Sequence, residues 1–153
     1  SYTFDGLKTA PTIGLKTEII SGDRREADDE LNTFNPLFPR GAYFGLAALI
    51  GPSNLIDFHP SFSLRLGQKT EASADYDVFW RYSNRDGIYG PNVVLIFDSG
   101  SENRLIGHQL GMAIDHQPNG FLKLTPEIMW FYPGAYLKDV SPGKQVFFMA
   151  FTA

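Results

Sequence analysis

The chain has 153 residues, a formal net charge of −4 and no cysteine, and no apolar run reaches the length of a transmembrane helix. The length suits one domain-sized unit, the absence of a Lys/Arg cluster excludes a nucleic-acid footprint, and the lack of thiols removes disulfide frameworks, thiol catalysis and Cys-type zinc sites. Thirteen Phe, seven Tyr and two Trp beside 15 Gly and 10 Pro fit an all-β chain with many turns.

Seven strands are predicted, over residues 1–7, 11–21, 54–66, 70–82, 103–116, 120–132 and 144–153. The chain opens Ser1-Tyr2-Thr3-Phe4-Asp5, already alternating, which reads as a continuation from residues upstream. In 11–21, Ile13, Leu15, Thr17 and Ile19 face one way, and Gly14, Lys16 and Glu18 the other. The next two strands form the clearest hairpin, around Gly67-Gln68-Lys69. In 54–66, Ile56, Phe58, Pro60, Phe62, Leu64 and Leu66 oppose Asp57, His59, Ser61, Ser63 and Arg65. In 70–82, Ala72, Ala74, Tyr76, Val78, Trp80 and Tyr82 oppose Glu71, Ser73, Asp75, Asp77 and Arg81. Successive side chains point to opposite faces of a strand, so each ribbon has an oily side and a charged side.

Later strands repeat the pattern less cleanly. In 103–116, Ile106, Leu110, Met112 and Ile114 oppose Gly107, Gln109, Gly111 and Asp115, with His108 breaking the oily row. In 120–132, Leu122, Leu124, Ile128, Trp130 and Tyr132 oppose Lys123, Thr125 and Glu127. Strand 144–153 is apolar on both sides, so periodicity leaves its facing open.

Strands of 13 residues in the hairpin exceed the roughly 9–11 that a tilted strand needs to cross a bilayer. Connections alternate between short (7–10, 67–69, 117–119) and long (22–53, 83–102, 133–143), the asymmetry of outer-membrane barrels. Trp80, Tyr82, Trp130 and Tyr132 fall at the long-loop ends, where an aromatic girdle belongs. The expectation is an antiparallel transmembrane β-barrel, all-β, of about seven or eight meandering strands. Single-chain bacterial barrels close with an even strand number. The whole of 1–153 is therefore expected to be the C-terminal portion of one larger barrel, unless an eighth strand lies in 41–51. A soluble β-rich carbohydrate-binding module is the alternative, since alternation also describes a sandwich whose oily faces point inward. A small, non-transporting outer-membrane barrel is another.

A longer string is more specific. Ser21-Gly22-Asp23-Arg24, then Thr33-Phe34-Asn35-Pro36-Leu37-Phe38-Pro39-Arg40-Gly41-Ala42-Tyr43-Phe44-Gly45, then Ile50-Gly51-Pro52-Ser53-Asn54-Leu55-Ile56-Asp57-Phe58-His59-Pro60-Ser61 run in order. Asp77-Val78-Phe79-Trp80-Arg81-Tyr82-Ser83 and Asp86-Gly87-Ile88-Tyr89-Gly90-Pro91 follow. This string resembles the C-terminal region of the bacterial alginate-export family. The resemblance implies a barrel in the bacterial outer membrane through which an anionic polysaccharide leaves the periplasm, with this chain supplying fewer than half the strands. It implies outer-membrane lipid, a polysaccharide or other polar solute, and periplasmic export components as partners. No cofactor, metal or catalysis is expected.

If the oily rows face lipid, a lumen is lined by Lys16, Glu18, Asp57, His59, Arg65, Glu71, Asp75, Asp77, Arg81, Asp115, Lys123 and Glu127. This row holds seven acids against four bases, whereas a conduit for a polycarboxylate should be basic. Arg65 and Arg81 are the expected solute contacts, because planar guanidinium forks suit carboxylates. In the loop 22–53 the outer half is charged, while Phe34, Asn35, Pro36, Phe38, Arg40, Tyr43 and Phe44 belong to an aromatic inner half expected to fold inward as a constriction. Other chemistry is less favoured. Asp75 and Asp77 share a face as two carboxylates of a glycosidase do, and His59 and Ser61 share one without a third partner. Asp23, Asp28, Asp29 and Glu30 lack a recognisable Ca²⁺ spacing.

Overall fold

Strands with two unlike faces are held in register by whatever each face meets, and here they pair in chain order. The computed structural model describes residues 1–25, 29–38 and 41–153. Its elements are β1 (Tyr2–Thr3), β2 (Thr12–Ile20), β3 (Leu55–Arg65), β4 (Thr70–Arg81), β5 (Ile88–Tyr89), β6 (Leu95–Phe97), β7 (Leu105–Asn119), β8 (Leu122–Pro133), α1 (Ala135–Val140) and β9 (Val146–Thr152). Among the described residues seven strands form one antiparallel sheet in the order β1-β2-β3-β4-β7-β8-β9, and β5 pairs with β6 in a second. The expected all-β meander is present as an open sheet, a partial barrel.

Several boundaries differ from expectation. The first predicted strand shrinks to two residues because the chain turns at once, with Leu7 N donating to Phe4 O and Ala10 N to Leu7 O. Residues 41–51 run through turns rather than forming an eighth strand. β7 continues to Asn119, so the turn expected at 117–119 narrows to Gly120 and Phe121. The long connection 83–102 contains the β5–β6 hairpin, and 133–143 contains α1.

Pairing keeps oil beside oil. Ile56 stands opposite Trp80, Phe62 opposite Ala74, Ala74 opposite Met112, and Met112 opposite Ile128. A slip of one residue would put charges in this row, so the register is strongly specified. Pairing also orients β9: Phe147 stands opposite Trp130 and Met149 opposite Ile128, which brings Phe147, Met149 and Phe151 onto the oily face. Among the described residues no second layer covers that face, and Phe62, Tyr76, Ile128 and Met149 are exposed. A two-layer sandwich would enclose them.

The buried apolar cluster lies on the other face, at the long-loop end. Leu55, Phe79, Ile106, Met129 and Phe131 come from the sheet, Phe44 and Ile50 from 41–51, Ile88 from β5, and Tyr136 and Leu137 from α1. Ile106 is a correction, since the alternation assigns it to the oily row. Phe79 pairs with Gly107 but Trp80 with Leu105, a β-bulge that leaves Ile106 as the extra residue and turns it into the core. His108 does stay on the oily face. It shares a 2.6 Å hydrogen bond with the Tyr76 hydroxyl and stacks on Tyr132, which stacks in turn on Trp130. A polar ring so partnered fits an aromatic band.

Candidate functional site

The charged face is built from i, i+2 positions on neighbouring strands, so side chains distant in sequence meet in cross-strand rows. At the long-loop end residues 41–50 lie across this face as a strap. Tyr43 donates its hydroxyl to Glu18 Oε1 at 2.7 Å, and Lys16 Nζ holds Glu18 Oε2 at 2.9 Å while lying over the Tyr43 and Phe44 rings. The hydrogen bond to Glu18, aided by burial, pushes the Tyr43 hydroxyl up to about 12. Phe44 is buried edge-to-face on Phe79, with ring centroids 5.1 Å apart. Gln109 Nε2 donates to the Phe44 carbonyl at 2.8 Å and to Asp77 Oδ2 at 3.2 Å. The Leu46 backbone lies against Glu127 on β8, so the strap reaches from β2 to β8.

Beneath the strap lie Asp57, His59 and Asp77. Asp57 and Asp77 are about 1% and 0% exposed, and His59 Nδ1 sits 2.6 Å from Asp77 Oδ1. His59 Nε2 faces Asp75 Oδ1 at 3.9 Å. Pro60 offers no N–H, and pairing lapses between Phe58–Val78 and Ser61–Asp75 without a change of register, which stations His59 across from Asp77. Gly111 makes room for Asp75: a Cβ there would lie 2.7 Å from both carboxylate oxygens.

Arg81 overturns the expectation of a solute contact. It is fully buried, and its guanidinium donates to the carbonyls of Asn84, Asp86, Ser99, Ser101 and Asn103 while lying 3.9 Å above the Tyr136 ring. Loops folding back over the end of β4 supply those acceptors, so Arg81 organises the connection and is closed off from solvent. Asn54 is its neighbour in this role. Held at φ +49°, it donates to the carbonyls of Ser83, Asp86 and Gly87 and accepts from Ser83 N.

The opposite end of the face is open. Arg65 and Glu71 stand in register and are both exposed. Lys123 Nζ lies 3.1 Å from Asp115 Oδ2, and Thr125 donates to Asp115 Oδ1 at 2.6 Å.

Thus Lys16, Glu18, Asp57, His59, Asp75, Asp77 and Glu127 gather under or beside the strap, Arg65, Glu71, Asp115 and Lys123 sit apart at the short-turn end, and Arg81 joins neither group. The expected constriction set divides likewise. Tyr43 and Phe44 lie on the charged face, but Phe34 and Phe38 are exposed, and Phe34 is tied by its own backbone, its N–H donating to the Ser21 carbonyl and its carbonyl accepting from the Ser53 hydroxyl. Arg40 and Asp28 lie outside the described residues. His59 turns to aspartates rather than to Ser61, leaving no nucleophile–base pair there. Sequence reasoning missed the parts played by Phe79 and Gln109. The available signal was Phe79 itself, a large aromatic in an otherwise charged row, which marks a place where something apolar must cover the face.

No curated protein matches the chain. The model of the family described as “Alginate export” matches residues 1–149. The chain therefore belongs to the alginate-export family.

Proposed function

We propose that this chain is one wall of an outer-membrane channel, the C-terminal portion of a larger barrel, with the oily rows against lipid and the charged rows toward a water-filled passage. The observation that carries the reading is the uncovered apolar face, continuous from Ile13 on β2 to Phe147, Met149 and Phe151 on β9. Unsatisfied backbone is not tolerated in hydrocarbon, so a sheet with such a face needs its remaining strands to close. The strap narrows the passage on the wall side, and transport is passive, without catalysis or cofactor. The solute is polar, a polysaccharide or smaller. With Arg81 withdrawn into its loop cage, the exposed wall is more acidic than a polyanion path calls for, so the bases for such a cargo must come from strands elsewhere in the barrel. Periplasmic export components are the partners proposed at the other end.

The test is single-channel conductance of the intact barrel in planar bilayers, with and without Tyr43→Ala/Phe44→Ala. A conducting parent and a larger conductance in the variant support both wall and strap. Absence of conductance, or a protein that is monomeric and soluble without detergent, overturns the channel; equal conductance overturns the constriction.

A further inference from the structure

Two carboxylates and an imidazole buried together on a sheet face need a counter-charge or a shared proton. Asp57 is the sharpest case: it is about 1% exposed, and among the described residues neither of its oxygens has a hydrogen-bond partner. One ligand atom from each of Asp57, His59 and Asp77 falls within 4.8 Å of the others. Around a tetrahedral zinc-sized ion with bonds of roughly 2.0–2.2 Å, such atoms would stand about 3.4 Å apart, between the 2.6 Å that separates His59 Nδ1 from Asp77 Oδ1 and the 4.8 Å limit of the set.

The surroundings are those of a ligand set rather than of a surface cluster. Asp57 and His59 project from one face of β3, two residues apart, and Asp77 stands across from His59 on β4. Gln109 holds Asp77 by Oδ2, leaving Oδ1 toward the imidazole. With Nδ1 directed inward, Nε2 faces Asp75 across 3.9 Å, a carboxylate on the side from which an outer partner orients a metal-binding histidine. Among the described residues Lys16 on β2 is a nearby cation, and its ammonium is engaged by Glu18. Phe44 and Phe79 cover the long-loop side, which lowers the local dielectric and strengthens attraction for a cation. An imidazole with two carboxylates suits a divalent transition ion of the zinc type better than Ca²⁺ or Mg²⁺, which prefer all-oxygen shells.

We propose that Asp57, His59 and Asp77 form a binding site for a zinc-type divalent cation under the 41–50 strap, with Gln109 and Asp75 positioning two of the ligands. This goes beyond the channel reading, and its readout is bound metal, so it stands or falls separately from conductance.

The experiment is equilibrium dialysis of the chelator-stripped, detergent-folded full-length protein against Zn²⁺, followed by Co²⁺ absorption spectroscopy. The expected result is one saturable Zn²⁺ per chain and an intense visible Co²⁺ spectrum of low coordination number. His59→Gln and Asp57→Asn should weaken binding by more than the roughly 10–100-fold that loss of an outer partner costs, and Gln109→Ala by about that amount. Asp115→Asn, at the open end, should leave binding unchanged. Should Asp57→Asn not fold, the parent's Co²⁺ spectrum and the half-buried His59→Gln variant decide. No saturable Zn²⁺, a pale octahedral Co²⁺ spectrum, or binding that survives His59→Gln overturns the proposal.

Discussion

The two ends of the charged face carry the same kinds of residue and meet opposite fates. At the long-loop end Asp57, Asp77 and Arg81 are buried under the strap and the folded-back connection, whereas at the short-turn end Arg65, Glu71 and Lys123 stand in the open. A tight turn such as 67–69 has no chain to spare for covering its neighbours. A connection long enough to hold a hairpin or a helix does. The lesson is that alternation specifies which face a charge occupies, and the loops decide whether that charge is solvated.

The contrast is most easily broken at Arg81. Arg81→Met leaves five loop carbonyls without their shared donor, one of them in a buried bond, and the folded protein should lose about 3–5 kcal/mol in denaturant unfolding, as when a buried charge network is cut. A loss under about 1 kcal/mol would erase the distinction between the two ends. Phe44→Ala comes next. Removing a buried aromatic costs about 3–5 kcal/mol when the site cannot collapse, and here the loss should fall mainly on strap docking, read as faster amide exchange across 41–50 with the strand amides unchanged.

A pH titration sharpens the comparison further. Tyr43 is raised from 10.0 to about 12, so the folded state holds its proton more tightly than the unfolded chain does. The stabilising contribution is therefore complete below pH 10 and lost as pH rises toward 12. Amide exchange in 41–50 should quicken over that window, and Glu18→Gln, which removes the main cause, should shrink the effect. The smallest change is expected at the open end. Asp115→Asn, losing Lys123 and Thr125, should alter stability by no more than about 1 kcal/mol, and less in high salt. A larger cost would mean that the open end is also organised by its charges.

Much of the sheet was legible in the chain itself. β3 and β4 follow from strict period-2 patterning joined by a short turn, and the expected bounds 54–66 and 70–82 lie close to Leu55–Arg65 and Thr70–Arg81. The candidate site was legible only as a row. That Asp57, His59 and Asp77 converge could be read from same-face spacing across one hairpin, but their burial could not, because the covering residues arrive from 41–50, a segment with no periodicity.

What the sequence determined alone is the set of strands and, for most, the side each residue takes, because backbone geometry imposes a repeat of two wherever oil and charge alternate. Tertiary structure decided the rest. β9 is apolar on both sides, so only its pairing with β8 could orient it. Ile106 obeys the repeat in sequence and escapes it through a bulge. Arg81 shares its row with Asp75 and Asp77, yet five carbonyls from the following loop claim it. Local spacing can give a side chain its direction, but the partner waiting in that direction comes from residues far along the chain, and long-range packing alone brings them together.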